Sequence, residues 1–360
     1  MSSPYRRLEE VRRIAVLRAN AIGDLVFALP ALDALRAAYP RAEIVLLGLP
    51  WHADLWRDRP GPIDRVEVIP IYPPIREEMG REVDPADQER FFAAMAAERF
   101  DLAIQMYGGG RNSNPFVLRL GARVTAGLRT PDAAPLDRWL PYVYYQPEVH
   151  RYLEVMALVG AQPVTFEPRL RVLPGDRDES YEVIPEAGPP LVALHPGAGD
   201  PRRHWSTAGF AAVGDALAQA GARVVVVAGR AEERPLVEAV IGGMRAPAQD
   251  LGKGISLRGL AGLLSRCAVV VGNDSGPLHL AHAVGTRTVG IYWAGNVITA
   301  GPFTRSRHRL AISWRLTCPV CGADTTQTPC PHRVSFVAGV PVNEVSEPAL
   351  ELFHDALNEG

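Results

Sequence analysis

Short apolar runs of β-forming residues alternate with helix-period stretches along this chain, and the alternation happens twice. The first series has strand-like runs at 13–17, 43–47, 65–69 and 101–105, with a helical pattern at 25–39 after the first. The second has strand-like runs at 191–194, 223–228, 268–271 and 288–292, interleaved with helical patterns at 207–220, 232–241 and 277–284. A chain that returns to an extended run after each helix lays its strands parallel, with helices covering both faces of the sheet. The expected fold class is therefore α/β, built as two Rossmann-like domains; 360 residues at 47% hydrophobic composition suffice for two cores.

Between 162 and 190 the composition shifts, with prolines at 163, 168, 174, 185, 189 and 190 and little helical period. This reads as the interdomain connection. The expected layout is a first domain over 1–165, a linker over 166–190, a second domain over 191–345 and a C-terminal helix over 346–360. Leu350, Phe353 and Leu357 form one stripe of that helix, so it must pack on something. Pro30 falls inside the first helical pattern and is expected to kink or interrupt it.

A formal charge of −2 provides no field for nucleic acid, so no nucleic-acid partner is expected and any anionic ligand must meet local basic groups. Lys253 is the one lysine among 38 basic residues, which makes arginine the default phosphate clamp. The start lacks the apolar core of a secretory signal, and no stretch reaches the ~18 apolar residues of a membrane span, so a cytoplasmic protein is expected. Arg6, Arg7, Arg12 and Arg13 read first as a solvated helix face and only second as a peripheral contact with the inner membrane surface.

In parallel sheets ligands sit at the carboxyl ends of strands, so the strand-to-helix turns carry the candidates. After the first strand come Arg18, Gly23 and Asp24. Asp24 reads either as a helix cap or as a general base that takes a proton from an attacking hydroxyl. Tyr107-Gly108-Gly109-Gly110-Arg111 reads as a mobile loop. The second domain opens with 195–205, where Gly197 allows close backbone approach and Arg203 can grip a diphosphate; a solvated arginine pair is the plainer reading. Glu232 or Glu233, after 223–228, can accept from ribose or sugar hydroxyls, or merely favour the positive end of a helix.

The strongest segment is 269–283, where an apolar strand runs into Asp274-Ser275-Gly276-Pro277. Pro277 suits a first helical position, so backbone N–H groups and the helix dipole are aimed at an anion there without any metal. Asp274 can hold a sugar or ribose hydroxyl, and His279, one turn in, can reach a phosphate oxygen, although a histidine on a helix face is more often structural. No G-x-G-x-x-G follows a strand and no G-x-x-x-x-G-K-[ST] occurs, which removes most support for a nicotinamide dehydrogenase or a P-loop phosphotransferase. Cys318, Cys321, Cys330 and His332 form a C-x2-C-x8-C-x-H arrangement that can bind zinc, but its second pair is too tightly spaced for a standard ribbon or finger. The reading preferred is a reduced, loop-borne cluster with no metal, and Cys267 is a core residue.

Gly23-Asp24 followed by 29–36, the Pro196-Gly197-Ala198 loop with Arg203-His204-Trp205, and 274–281 together resemble glycosyltransferase family nine, the ADP-heptose:lipopolysaccharide heptosyltransferases, over about residues 12–292. The resemblance implies a GT-B architecture, with two Rossmann-like domains facing across a cleft, the first holding the acceptor and the second the nucleotide sugar. It implies inverting transfer of a heptose from ADP-heptose, with Asp24 as base, to a glycan or glycolipid acceptor, the lipopolysaccharide inner core. Arg18 stands where the family has a basic residue, and it and Gly23 are expected at a phosphate or the acceptor. Arg203 stands where a lysine is usual, and Glu232 falls nearest the acidic donor-binding position, with Glu233 one place away. By this likeness no cofactor is required and the terminal helix crosses back onto the first domain. The rival readings are a GT-B transferase with another nucleotide sugar or acceptor, and a catalytically silent nucleotide-sugar binder.

Overall fold

The computed structural model describes residues 6–185, 188–251, 254–328 and 330–359. The chain divides into two units, Met1–Arg171 and Val172–Gly360. The first runs β1 (Arg13–Leu17), α1 (Ile22–Ala38), β2 (Glu43–Gly48), α2 (Pro50–Trp56), β3 (Arg65–Val68), α3 (Pro85–Ala97), β4 (Leu102–Gln105), α4 (Ser113–Leu118), β5 (Val124–Arg129), β6 (Arg138–Pro141) and α5 (Glu148–Ala157). The second runs α6 (Pro174–Val183), β7 (Leu191–His195), α7 (Thr207–Gln219), β8 (Arg223–Val226), α8 (Arg234–Gly243), β9 (Ala248–Asp250), α9 (Leu257–Arg266), β10 (Cys267–Asn273), α10 (Gly276–Ala283), β11 (Arg287–Trp293), α11 (Ala294–Ala300), β12 (His308–Ser313) and α12 (Asn343–Glu359).

Each unit holds one six-stranded sheet, ordered β3-β2-β1-β4-β5-β6 in the first and β12-β11-β10-β7-β8-β9 in the second, with every strand pair parallel. Central strands such as β1 and β7 are buried on both faces, which is why they read as continuous apolar runs. Strand order reverses between β1 and β4 in one sheet and between β7 and β10 in the other.

Three expectations are corrected. Pro30 does not interrupt α1, which continues from Ile22 to Ala38 with Leu29, Ala31 and Leu32 around the proline buried; packing outweighs the hydrogen bond that a proline removes. The 166–190 stretch is not simply a linker, because it contains α6, started by Pro174 and by the Asp176 carboxylate, which accepts the Leu173 N–H at 2.9 Å. The apolar face of α12 is Val345, Ala349, Leu352 and Phe353, all part of the second unit's core, whereas Leu357 is exposed. The terminal helix thus packs on its own unit's core through a face that shares only Phe353 with the expected buried stripe.

Candidate functional site

Ligands of open parallel sheets bind outside the strand ends where strand order reverses. In the first unit that point lies between the loops after β1 and β4. Arg18, the residue after β1, is 1% exposed. Its Nε and Nη2 donate to the Asp24 carbonyl at 3.0 and 2.6 Å, and Nη1 donates to the Met106 carbonyl and the Tyr152 hydroxyl, each at 2.6 Å. Nη2 lies 3.3 Å from the carboxylates of both Asp24 and Glu148. A guanidinium taken out of water needs its donors matched. Arg18 matches them within the unit and clamps the first turn of α1. Gly23 is likewise buried inside that turn.

Asp24 occupies the third position of α1. Its Oδ2 accepts the Ala21 N–H at 3.1 Å and its Oδ1 faces Arg18, yet 38% of the side chain remains exposed. Asp24 is therefore a helix cap whose carboxylate is still reachable from solvent. His52 is fully buried, with Nδ1 accepting the Leu49 N–H at 3.0 Å. Burial first, and the Arg18 charge second, lower its pKa to about 3, so it is neutral.

The loop after β4, expected to be mobile, is instead tied down. Gln105 Nε2 donates to the carbonyls of Tyr107 and Gly108 and to the Ser113 hydroxyl, and the Gly109 carbonyl accepts the Thr130 N–H at 2.7 Å. These ties shape a pocket of about 310 Å³ lined in part by Tyr107, Gly109, Arg111, Thr130 and Tyr142. Burial, followed by the negative charge of Asp24, raises the pKa of Tyr107.

In the second unit the reversal lies between β7 and β10. Asp274, just past β10, is 1% exposed, with Oδ1 2.8 Å from His279 Nε2 and Oδ2 accepting from Arg203 Nη1 at 3.1 Å. Burial acts to raise its pKa, but the bonds from His279 and Arg203 outweigh it and hold the carboxyl below its usual range. Asp274 therefore ties Arg203 and His279 together at the end of β10. Both of its oxygens are engaged internally, as a buried carboxylate requires. His279 is correspondingly turned onto Asp274 through Nε2.

Ser275 precedes α10 but does not cap it with its side chain. Among the described residues neither the Ser275 hydroxyl nor Nε2 of His195 has a hydrogen-bond partner, and both side chains are more than nine-tenths buried. His195 Nδ1 lies 2.9 Å from the Val227 carbonyl, so the proton sits on Nδ1 and Nε2 presents a lone pair. Burial lowers its pKa.

Glu233 is the inward acid of its pair, while Glu232 is exposed. The Glu233 carboxylate accepts the N–H groups of Gly229 and Arg230 at 2.6 and 3.2 Å, stands 4.0 Å from His195 Nε2, and fills the space a Cβ on Gly197 would take. A side chain at 197 would therefore have to displace the Glu233 carboxylate. Arg202 is paired with Asp200, whereas the Nη2 atoms of Arg203 and Arg230 both border Gly199. Asn273 locks the turns together, accepting the Trp205 N–H at 3.1 Å and donating to the Pro196 carbonyl at 2.7 Å.

Around α10's first turn the unit thus gathers Arg203, Arg230, an unpaired hydroxyl, an unpaired imidazole nitrogen and the positive end of a helix. Of these, His195 and Arg230 were not singled out from sequence, nor was Asn273. His195 ends a central strand beside the reversal, and that position was the available signal.

The model of glycosyltransferase family 9 (heptosyltransferase) matches residues 89–325. Lipopolysaccharide heptosyltransferase 1 of Pseudomonas aeruginosa is 25% identical over 323 residues, covering 86% of each chain. Among solved structures, E. coli ADP-heptose lps heptosyltransferase II is 18% identical with TM-score 0.74, covering 97% of this chain and 100% of that one. E. coli heptosyltransferase WaaC with ADP is 20% identical with TM-score 0.67, covering 96% and 99%. At such identities the structural matches carry the fold alone, the paired Rossmann-like units of the GT-B class.

Proposed function

Because the chain belongs to glycosyltransferase family 9, the heptosyltransferases, we propose that it moves a heptose from ADP-heptose to a hydroxyl of a lipopolysaccharide inner-core glycan, inverting the configuration at C1. The observation that carries the donor half is the pair of buried, unpartnered atoms, Ser275 Oγ and His195 Nε2, beside Arg203 at the start of α10. A buried polar atom without a partner costs about 1–3 kcal/mol, which a ligand with matching groups relieves. A helix N-terminus carries roughly half a positive charge, and with Arg203 it suits a diphosphate. WaaC was solved with ADP, and the Pseudomonas relative is a lipopolysaccharide heptosyltransferase; both support the same donor and acceptor here.

In this reading Asp24 takes the proton of the acceptor hydroxyl as that oxygen bonds to C1 of the heptose. The bond from C1 to the β-phosphate oxygen breaks, and its electron pair leaves with ADP. A single displacement inverts C1. The charge that grows on the leaving oxygen is met by Arg203 and the α10 amides, so the step calls for no cofactor. Arg18 acts as a positioning residue, through Asp24.

The test is incubation with ADP-heptose and a heptose-free core glycolipid. Acceptor-dependent ADP release and a heptosylated product are expected. Turnover with UDP- or GDP-sugars in place of ADP-heptose would replace the donor, and nucleotide binding without transfer would make the chain a silent binder.

A further inference from the structure

After β12, among the described residues of 314–335 there is no helix or strand, and Cys318 alone is buried. A stretch this long with no core needs some other reason to hold one shape. Its cysteines supply one. Cys318-Pro319-Val320-Cys321-Gly322 forms a tight turn in which the Cys318 carbonyl accepts the Gly322 N–H at 2.9 Å, with Gly322 at φ 69°. The Cys318 sulfur faces the backbone N–H groups of Val320 and Cys321, and the Cys330 sulfur that of His332.

All four candidate ligand atoms lie within 4.8 Å of one another. Cys321 Sγ is 3.5 Å from Cys330 Sγ, and His332 Nδ1 is 3.3 Å from Cys330 Sγ and 3.7 Å from Cys318 Sγ. Ligands about 2.3 Å (sulfur) and 2.0–2.1 Å (nitrogen) from one tetrahedral ion stand roughly 3.8 Å apart for two sulfurs and roughly 3.6 Å for sulfur and nitrogen. These three separations match such edges to within a few tenths of an ångström, and the other three lie within 4.8 Å. All three cysteines are free thiols, and three sulfurs with one imidazole match zinc better than calcium or magnesium.

We propose that Cys318, Cys321, Cys330 and His332 hold one structural zinc ion. The site does not depend on the transferase reading, but it reaches the donor turn. Just beyond His332, the Ser335 hydroxyl donates to the His204 carbonyl at 2.6 Å and the Phe336 N–H donates to the Arg202 carbonyl at 2.8 Å. These two bonds flank Arg203, so the ion fixes the segment that holds the Arg203 turn in place.

The test begins with the full chain purified from zinc-supplemented medium and analysed for metal, where about one zinc per chain is expected. Cys318→Ser with Cys330→Ser should abolish the binding. Since that variant can misfold, Co2+ is also exchanged into the unaltered protein, where thiolate-to-cobalt absorption and the intense visible bands of a tetrahedral site are expected. Stripping the zinc with a chelator should raise amide exchange at 200–205, and restoring it should reverse the change. A metal-free chain that shows no tetrahedral cobalt spectrum overturns the site. So does a thiol titration under denaturing conditions that finds Cys321 and Cys330 joined as a disulfide. One equivalent of iron overturns the choice of zinc, and unchanged exchange at 200–205 overturns the link to Arg203.

Discussion

Two residues of the first unit decide separate questions. In Asp24→Asn the amide oxygen still accepts the Ala21 N–H, and Arg18 keeps Glu148 and Tyr152, so the fold survives while the proton acceptor is lost. Removal of a general base costs about 10²–10⁴-fold in rate. Turnover should fall by that much with ADP affinity unchanged, and a variant that transfers at the wild-type rate removes Asp24 from the chemistry. His52 answers for pH. Its pKa of about 3 in the folded chain lies below the ordinary value of 6.5, so between those values the unfolded chain binds the extra proton. Stability from this residue is therefore complete above 6.5 and declines as pH falls toward 3, by about 1.4 kcal/mol per unit at the steepest. His195, also held low by burial, acts in the same sense in the second unit. His52→Asn retains an acceptor for the Leu49 N–H, and its thermal midpoint should drop less between pH 7.5 and 5.5 than that of the wild type. Parallel declines would refute the buried neutral imidazole. Residue types at the turns were legible, but their orientation was not. Glu232 and Glu233 are indistinguishable as letters, and it is the approach of Gly197 to Glu233 that separates them.

Eight of the twelve described strands and the helices α1, α7, α8 and α10 were legible by apolar period. The sheet-edge strands β6, β9 and β12, the strand β5 and the helices α5 and α9 were not read, although α5 and α9 bury apolar faces. Helix α6 buries only Asp176 and Ser180 and so left no stripe in the sequence. Its partner is α9. Arg258 Nε donates to Asp176 Oδ1 at 2.9 Å, the Ser256 hydroxyl donates to Glu179 at 2.6 Å, and Gly262 lets the two helices touch. A Cβ on Gly262 would overlap the Asp176 carbonyl, which is backbone and cannot swing away. Gly262→Ala should destabilise by about 1–3 kcal/mol, the usual cost of overpacking. Gly242, inside α8, has nothing within 4 Å of the place an added methyl would occupy, so Gly242→Ala should instead stabilise by roughly 0.5–1 kcal/mol. Urea titration of the two variants checks both signs. Equal effects would mean that helix propensity, and not the α6–α9 contact, governs Gly262.

At the scale of the whole chain, two units of one architecture carry different polar equipment at the same topological place. The first has a part-exposed carboxylate braced by a buried arginine, and the second has arginines, a helix N-terminus and unpaired polar atoms. On the proposed function the nucleotide binds the second unit, and amide exchange with and without ADP tests that reading segment by segment. ADP at about 100 times its Kd stabilises the form it binds by about 2.7 kcal/mol, and amides that open locally next to the ligand gain the most protection. Slowed exchange is expected in 195–205, 227–234 and 273–280, the strand ends around the β7–β10 reversal. The α6–α9 pair, which contributes no residue to that set, should respond least within the unit. Arg203→Ala should weaken the protection in all three segments together, because Arg203 and Asp274 tie the turn after β7 to the turn after β10. Protection confined to the opposite ends of these strands, or spread evenly through α6 and α9, would place the nucleotide elsewhere and remove the support for a diphosphate at Ser275.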